Sequence, residues 1–178
     1  MKAGSGSKAK GSAFERDVCK KLSFLISDGT RDDLLWRSAM SGGRATVRDR
    51  KTATTGHVSG DICAVHEDGY AFIERFYCEC KHYKDLRLQS LLLNATGPLY
   101  DFWVKAKQQG RKYSKTPLLI AKQNAFPTMI CMSMVSADLL LRPHSFRILQ
   151  VVTFHETEMV LLPFSKFLQY ATVHRRVP

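Results

Sequence analysis

Residues 59–84 constrain this chain more than any other stretch. Tyr77-Cys78-Glu79-Cys80-Lys81 alternates in character, and a β-strand sends successive side chains to opposite faces. Tyr77, Glu79 and Lys81 are therefore expected on one face, with Cys78 and Cys80 on the other. Upstream, Asp61 follows Ser59-Gly60 and opens the run Ile62 to Val65. Asp68-Gly69 reads as a turn and residues 70–77 as a returning strand, a β-hairpin that would put Asp61 and Glu79 on paired antiparallel strands. Two carboxylates so placed suit a hard divalent cation such as Mg²⁺, with water and phosphate oxygens completing its shell. Lys81 beside them can orient or help deprotonate an attacking water and offset charge growing on the phosphorus centre. These residues point to metal-dependent phosphodiester cleavage. An acid followed by Glu-x-Lys also arises by chance in charged chains, so the surrounding sequence has to support it.

The charge balance does. Lys and Arg number 27 against 16 Asp and Glu, a net +11, which points to a polyanionic partner, most commonly nucleic acid. A membrane surface is the competing partner, but there is no strongly basic amphipathic helix, no apolar run near the length of a span and no apolar signal core. A soluble, cytoplasmic protein is expected. At 178 residues with 44% hydrophobic content, the chain suits one domain with a genuine core. The five cysteines, Cys19, Cys63, Cys78, Cys80 and Cys131, lack zinc or disulfide spacing. Cys78 and Cys80 read as small buried hydrophobes in a reducing compartment.

In chain order, residues 1–11 read as a disordered basic tail and residues 12–178 as a single domain, with a core to about 135 and an extension over 136–178. Ser12-Ala13-Phe14-Glu15 forms a capping box, and Phe14, Val18, Leu22, Leu25 and Ile26 recur at helical spacing, predicting a helix over 13–26. Glu15 can close the capping box or face the metal site, and both roles stay open. Residues 34–37 read as a short strand leading into Ser38-Ala39-Met40-Ser41-Gly42-Gly43. Arg44, Arg48, Arg50 and Lys51 then stand in a flexible basic stretch suited to gripping a phosphate backbone. Gly97-Pro98 starts a helix whose Leu99, Phe102, Trp103 and Ala106 share an apolar face. Lys105, Lys107, Arg111, Lys112, Lys115 and Lys122 follow without an intervening acid, which favours phosphate contact over an ordinary solvated face. Strands are expected over 117–122 and 128–134, reached by a helical crossover from the Glu79 strand. Further strands are expected over 145–154 and 159–163, then a short helix from Ser165. His155 and Glu156 read as ordinary turn surface.

A helix start with Gly-Ser-x-x-Glu-Arg, an Arg before a Ser-Gly-Gly turn, an Asp opening a strand and then Glu-x-Lys resemble the PD-(D/E)XK nuclease superfamily over about residues 11–122. The order of the pieces is most similar to the archaeal-type Holliday junction resolvase branch, including phage-encoded forms. The resemblance implies an α/β, restriction-endonuclease-like core, a central mixed β-sheet flanked by helices, here with an added C-terminal hairpin. It implies metal ligation by Asp61, Glu79 and the Cys80 backbone carbonyl, with Mg²⁺ as cofactor and Mn²⁺ as substitute. Lys81 would support the nucleophile, with Glu15 at the edge of the site and Ser41 in a loop approaching the scissile phosphate. Arg37 and the basic residues named above would contact DNA, with Lys122 close to the site. The implied activity is endonucleolytic cleavage of branched DNA by a homodimer in recombination or repair, in the host cytoplasm if phage-encoded. A nuclease for linear or damaged duplex, or a non-catalytic nucleic-acid binder, are the alternatives. The chain departs from the superfamily in carrying Gly60 where the eponymous proline stands, and in the length of residues 45–59.

Overall fold

The computed structural model describes residues 5–38, 58–141, 150–154 and 157–172. Ser41, Arg44, Arg48, Arg50, Lys51, His155 and Glu156, all singled out above, lie outside the described residues. Helix α1 spans Ser5–Ile26, with Phe14, Val18, Leu22 and Ile26 buried along one stripe. It begins before the expected capping box, so Ser12 and Glu15 lie inside the helix and cap nothing. Residues 5–11, expected as tail, are its first turns. Lys8, Ala9 and Lys10 favour helix and no proline interrupts them.

Short strands follow: β1 (Leu35–Arg37), β2 (Val58–Ser59) and β3 (Ile62–Ala64), in the order β1-β3-β2 and antiparallel throughout. The hairpin at Asp61 is therefore β2–β3. Ser59 pairs with Ile62, which makes Gly60-Asp61 its two-residue loop. The expected hairpin through Asp68-Gly69 does not form. Glu67–Gly69 is a 3₁₀ turn and Tyr70–Arg75 is helix α2. Phe72, Ile73 and Phe76 repeat at one-turn spacing and are buried, with the Phe72 and Phe76 rings 4.9 Å apart. That periodicity overrides the strand propensity of the aromatic residues.

The main sheet has the order β4-β5-β6-β8-β7, with β4 (Phe76–Tyr83) and β5 (Thr116–Gln123) parallel and the other pairs antiparallel. Between β4 and β5 lie α3 (Leu88–Asn94) and α4 (Pro98–Lys112), the expected crossover. The chain continues through β6 (Met129–Met132), α5 (Met134–Leu140), β7 (Gln150–Phe154), β8 (Thr157–Pro163) and α6 (Phe164–Tyr170). The strand expected over 128–134 ends at Met132, and α5 begins at Met134. Ser133 caps it by accepting from the Ser136 amide, a signal hidden beside an apolar strand run.

The two faces of the sheet build separate cores. Cys78, Cys80, Leu118 and Ile120 join α1, α5 and α6, whereas Leu119, Ala121 and Cys131 join α4 through Leu99, Trp103 and Ala106. This is the mixed sheet flanked by helices that the resemblance implies, and the β7–β8 hairpin extends it. Among the described residues, no helix is long and apolar enough to cross a membrane.

Candidate active site

Asp61 sits where the small sheet meets β4. Its amide donates to the Cys78 carbonyl at 2.9 Å, and its Oδ2 accepts from the Cys80 amide at 2.8 Å. Its carbonyl accepts from the Ser38 amide at 2.8 Å, while the buried Ser38 hydroxyl donates to the Gly60 carbonyl at 2.9 Å. The contact with β4 is thus a parallel bridge, Gly60 to Cys78, and the two acids do not lie on paired antiparallel strands.

Strand alternation places the rest. Tyr77, Glu79 and Lys81 share one face, as expected. The Lys81 ammonium hydrogen-bonds Glu79 Oε1 and lies 3.9 Å from Asp61 Oδ2, while the Tyr77 hydroxyl donates to Glu79 Oε2 at 3.2 Å. Cys78 and Cys80 are buried in the opposite core, and burial pushes both thiols up, so they stay neutral. Ser38 and Tyr77 had no role assigned from sequence. For Tyr77 the signal was present, because alternation sets residue 77 beside residue 79. Ser38 becomes visible only when β1 pairs with β3.

Glu15 and Arg37 form an ion pair at 2.9 Å between α1 and the end of β1. Glu15 thus reaches away from its helix backbone, and its charge is felt at Asp61. Lys105, Arg111 and Lys112 are exposed on or beside α4. Lys122 pairs in register with His82, whose ring meets Phe14 of α1 at 5.5 Å. Lys122 therefore leaves from the α1 face of the sheet, opposite Glu79 and Lys81.

Burial, and then the nearby Glu79 charge, push the Asp61 carboxyl up to about 6 from 3.8, against the Cys80 amide bond. Burial draws the Lys81 ammonium down, but the hydrogen bond to Glu79 and the two carboxylate charges hold it above the usual lysine range. A positive charge is thus already drawn between Asp61 and Glu79. The Cys80 amide points to Asp61. Amide and carbonyl of one strand residue project to the same edge, so the Cys80 carbonyl also leaves on the Asp61 side. Among the described residues, no three His, Cys, Asp or Glu side chains gather as a metal site. Two carboxylates and one carbonyl suit Mg²⁺, which keeps several waters, better than a cation needing a full protein cage.

A raised carboxyl pKa implies a sign for stability. Asp61 favours folding when protonated, so its contribution is complete below about 3.8 and is lost as pH rises through about 6. Asp61→Asn keeps an oxygen for the Cys80 amide and removes the buried charge. At pH 8 without divalent cations it is expected to be more stable than the parent by on the order of 1–3 kcal/mol, the gain vanishing near pH 4. Urea unfolding at the two pH values checks this. An equal difference at both would rule out the charge as the cause.

Tyr77→Phe keeps the ring and removes the donor to Glu79. Groups that orient a ligating carboxylate typically matter by about 10–100-fold in metal affinity or activity. The Mg²⁺ concentration for half-maximal activity is expected to rise by about tenfold, with the melting temperature little changed. Mn²⁺ binding by calorimetry should weaken in parallel, and unchanged binding would assign the hydroxyl no part in holding Glu79.

A mixed sheet between helical layers, with an acid on a hairpin loop facing Glu-x-Lys on the adjoining strand, defines the PD-(D/E)XK nuclease class. Within that class, the chain belongs to the family described as "Phage putative PDDEXK endonuclease", whose model matches residues 6–173. No curated protein and no solved structure matches the chain.

Proposed function

We propose that the chain is a Mg²⁺-dependent endodeoxyribonuclease that cuts branched DNA, with the four-way junction as preferred substrate and a homodimer as the acting form. The observation that carries the nuclease reading is the contact of one ammonium, Lys81, with both Asp61 and Glu79. An acid pair repels phosphate, so a module that only binds DNA has no evident use for it. Asp61, Glu79 and the Cys80 carbonyl would hold the cation, which when bound neutralises phosphate charge and activates water. Lys81, kept protonated by its two acids, is suited to offsetting charge on the phosphate oxygens more than to removing a proton. Tyr77 and the Cys80 amide hold the two carboxylates in place while water attacks phosphorus in line, losing its proton to solvent, and the 3′ oxygen leaves and takes up a proton from solvent, giving a 5′-phosphate and a 3′-hydroxyl. The exposed Lys105, Arg111 and Lys112 would steer the backbone toward the site. The junction preference rests on the order of sequence pieces that runs through Arg37 and Ser41.

The test is cleavage of labelled four-way junction and matched linear duplex with Mg²⁺. Paired symmetric cuts in the junction, absent in the duplex, are expected. Equal cutting of both would retain the nuclease and remove the junction preference, whereas tight binding without any cutting would overturn the proposal.

A further inference from the structure

The row of side chains containing Glu79 and Lys81 continues past them at both ends. Residues 77, 79, 81 and 83 of β4 share the face covered by α4. Tyr83 meets Phe102 of α4 at 5.0 Å between ring centroids, and the Lys81 ammonium lies 5.7 Å from the centre of that same ring. At the other end, Tyr113 follows the last turn of α4 and stacks on Tyr77 at 6.0 Å with only 6° between the planes. The inner rings, Phe102 and Tyr77, are packed within the protein. The outer two are open, with Tyr83 45% and Tyr113 54% exposed.

Neither outer ring is needed to fill a core, and leaving a large aromatic surface in water brings no folding gain. Their positions are more informative than their exposure. Residues 77 and 83 stand about 20 Å apart along a strand rising about 3.3 Å per residue, so the open rings flank the acid–lysine centre on both sides. Cations accompany them, with Lys112 Nζ 5.5 Å from the Tyr113 ring centre and Arg111 exposed in the last turn of α4. Aromatic rings interleaved with cations along a backbone path are the composition that captures single strands, since every unpaired base offers a π-face. Bases inside a duplex are already stacked on their neighbours and present only their edges.

We propose that Tyr83 and Tyr113 stack unpaired bases on either side of the phosphate held at Lys81. The substrate class is then DNA with a single-stranded segment at the cut, such as a flap or an opened branch point. This rests on the nuclease reading only in placing the phosphate; the stacking itself is read from binding.

The experiment measures binding by fluorescence anisotropy, in Ca²⁺ to suppress cutting, of one duplex with and without a single-stranded flap. The full chain is compared with Tyr83→Ala, Tyr113→Ala, and the two phenylalanine variants that preserve the rings. Stacking is worth about 1–3 kcal/mol per base, so each alanine variant is expected to bind flapped DNA about 5–150-fold more weakly. Duplex binding should stay within about twofold, and the phenylalanine variants should match the parent. Equal loss on both DNAs, no loss on either, or loss in the phenylalanine variants as well would overturn the stacking role. Cleavage by the parent and by Lys81→Ala is followed in parallel with Mg²⁺. Absence of cutting by the parent would sink the nuclease reading, and unimpaired cutting by Lys81→Ala would remove Lys81 from the site, while the binding ratio still decides the role of the tyrosines.

Discussion

Lys81→Ala is expected to slow DNA cleavage by about 10²–10³-fold while making the protein bind divalent cations more tightly. The first half follows from losing a fixed positive charge at the phosphate, for which removal of one stabilising donor is the nearest guide. The second follows from geometry. Lys81 hydrogen-bonds Glu79 and lies 3.9 Å from Asp61, so it competes for the carboxylates that would hold the cation. Without it, Asp61 and Glu79 repel each other more strongly, and a divalent cation relieves both. Lys81→Arg should not restore the rate, because a planar fork does not replace a compact ammonium between two acids. Cleavage assays over a Mg²⁺ series, with Mn²⁺ calorimetry on the same preparations, separate the effects. Weaker cation binding together with slow cleavage would mean that Lys81 supports the ligands instead of competing with them.

The centre of this site was legible because it obeys the simplest rule of chain geometry. Residues two apart on a strand share a face, so the sequence alone places Glu79 and Lys81 together and Cys78 and Cys80 on the opposite, buried face. The α4 crossover was legible for a related reason, since Gly97-Pro98 marks its start and its apolar face repeats at helical spacing. What sequence could not give was the route from Asp61 to Glu79. Residues 70–75 are rich in β-formers, yet Phe72 and Ile73 bury from a helix that ends at Arg75, just before Phe76 opens β4, and tertiary packing decides between the two periods. The sequence pattern therefore points to Asp68-Gly69 as the hairpin turn, where the fold uses Gly60-Asp61. Partnerships between distant elements were equally hidden. Ser38 binds the Gly60 and Asp61 carbonyls across the β1–β3 pairing, and Arg37 pairs with Glu15 over a separation no local pattern reports.

Gly60→Pro, which introduces the residue that names the superfamily, is expected to lower activity in this chain by about 10²-fold or more. Gly60 has φ +69°, whereas proline is held near −65°. Gly60 is the first residue of the two-residue β2–β3 loop, the position where a II′ hairpin calls for glycine. Space forbids a side chain as well. A Cβ there would run into the Cys78 carbonyl oxygen, the atom that accepts from the Asp61 amide, and would lie 3.2 Å from the Tyr77 ring. Proline must therefore turn the loop over, and Asp61, its next residue, moves away from the Cys80 amide. The cost is expected to be roughly 3 kcal/mol or more in stability. A displacement of about 1 Å in a positioned group is enough for a loss near 10²-fold in rate. Gly60→Ala meets the same carbonyl without proline's locked φ, so it should lose stability by less and activity by a similar factor. Urea unfolding and cleavage assays on both variants test this. Parental stability and rate in Gly60→Pro would show that the loop adopts the superfamily's backbone, and that Asp61 can be held without the Cys78 and Cys80 contacts seen here.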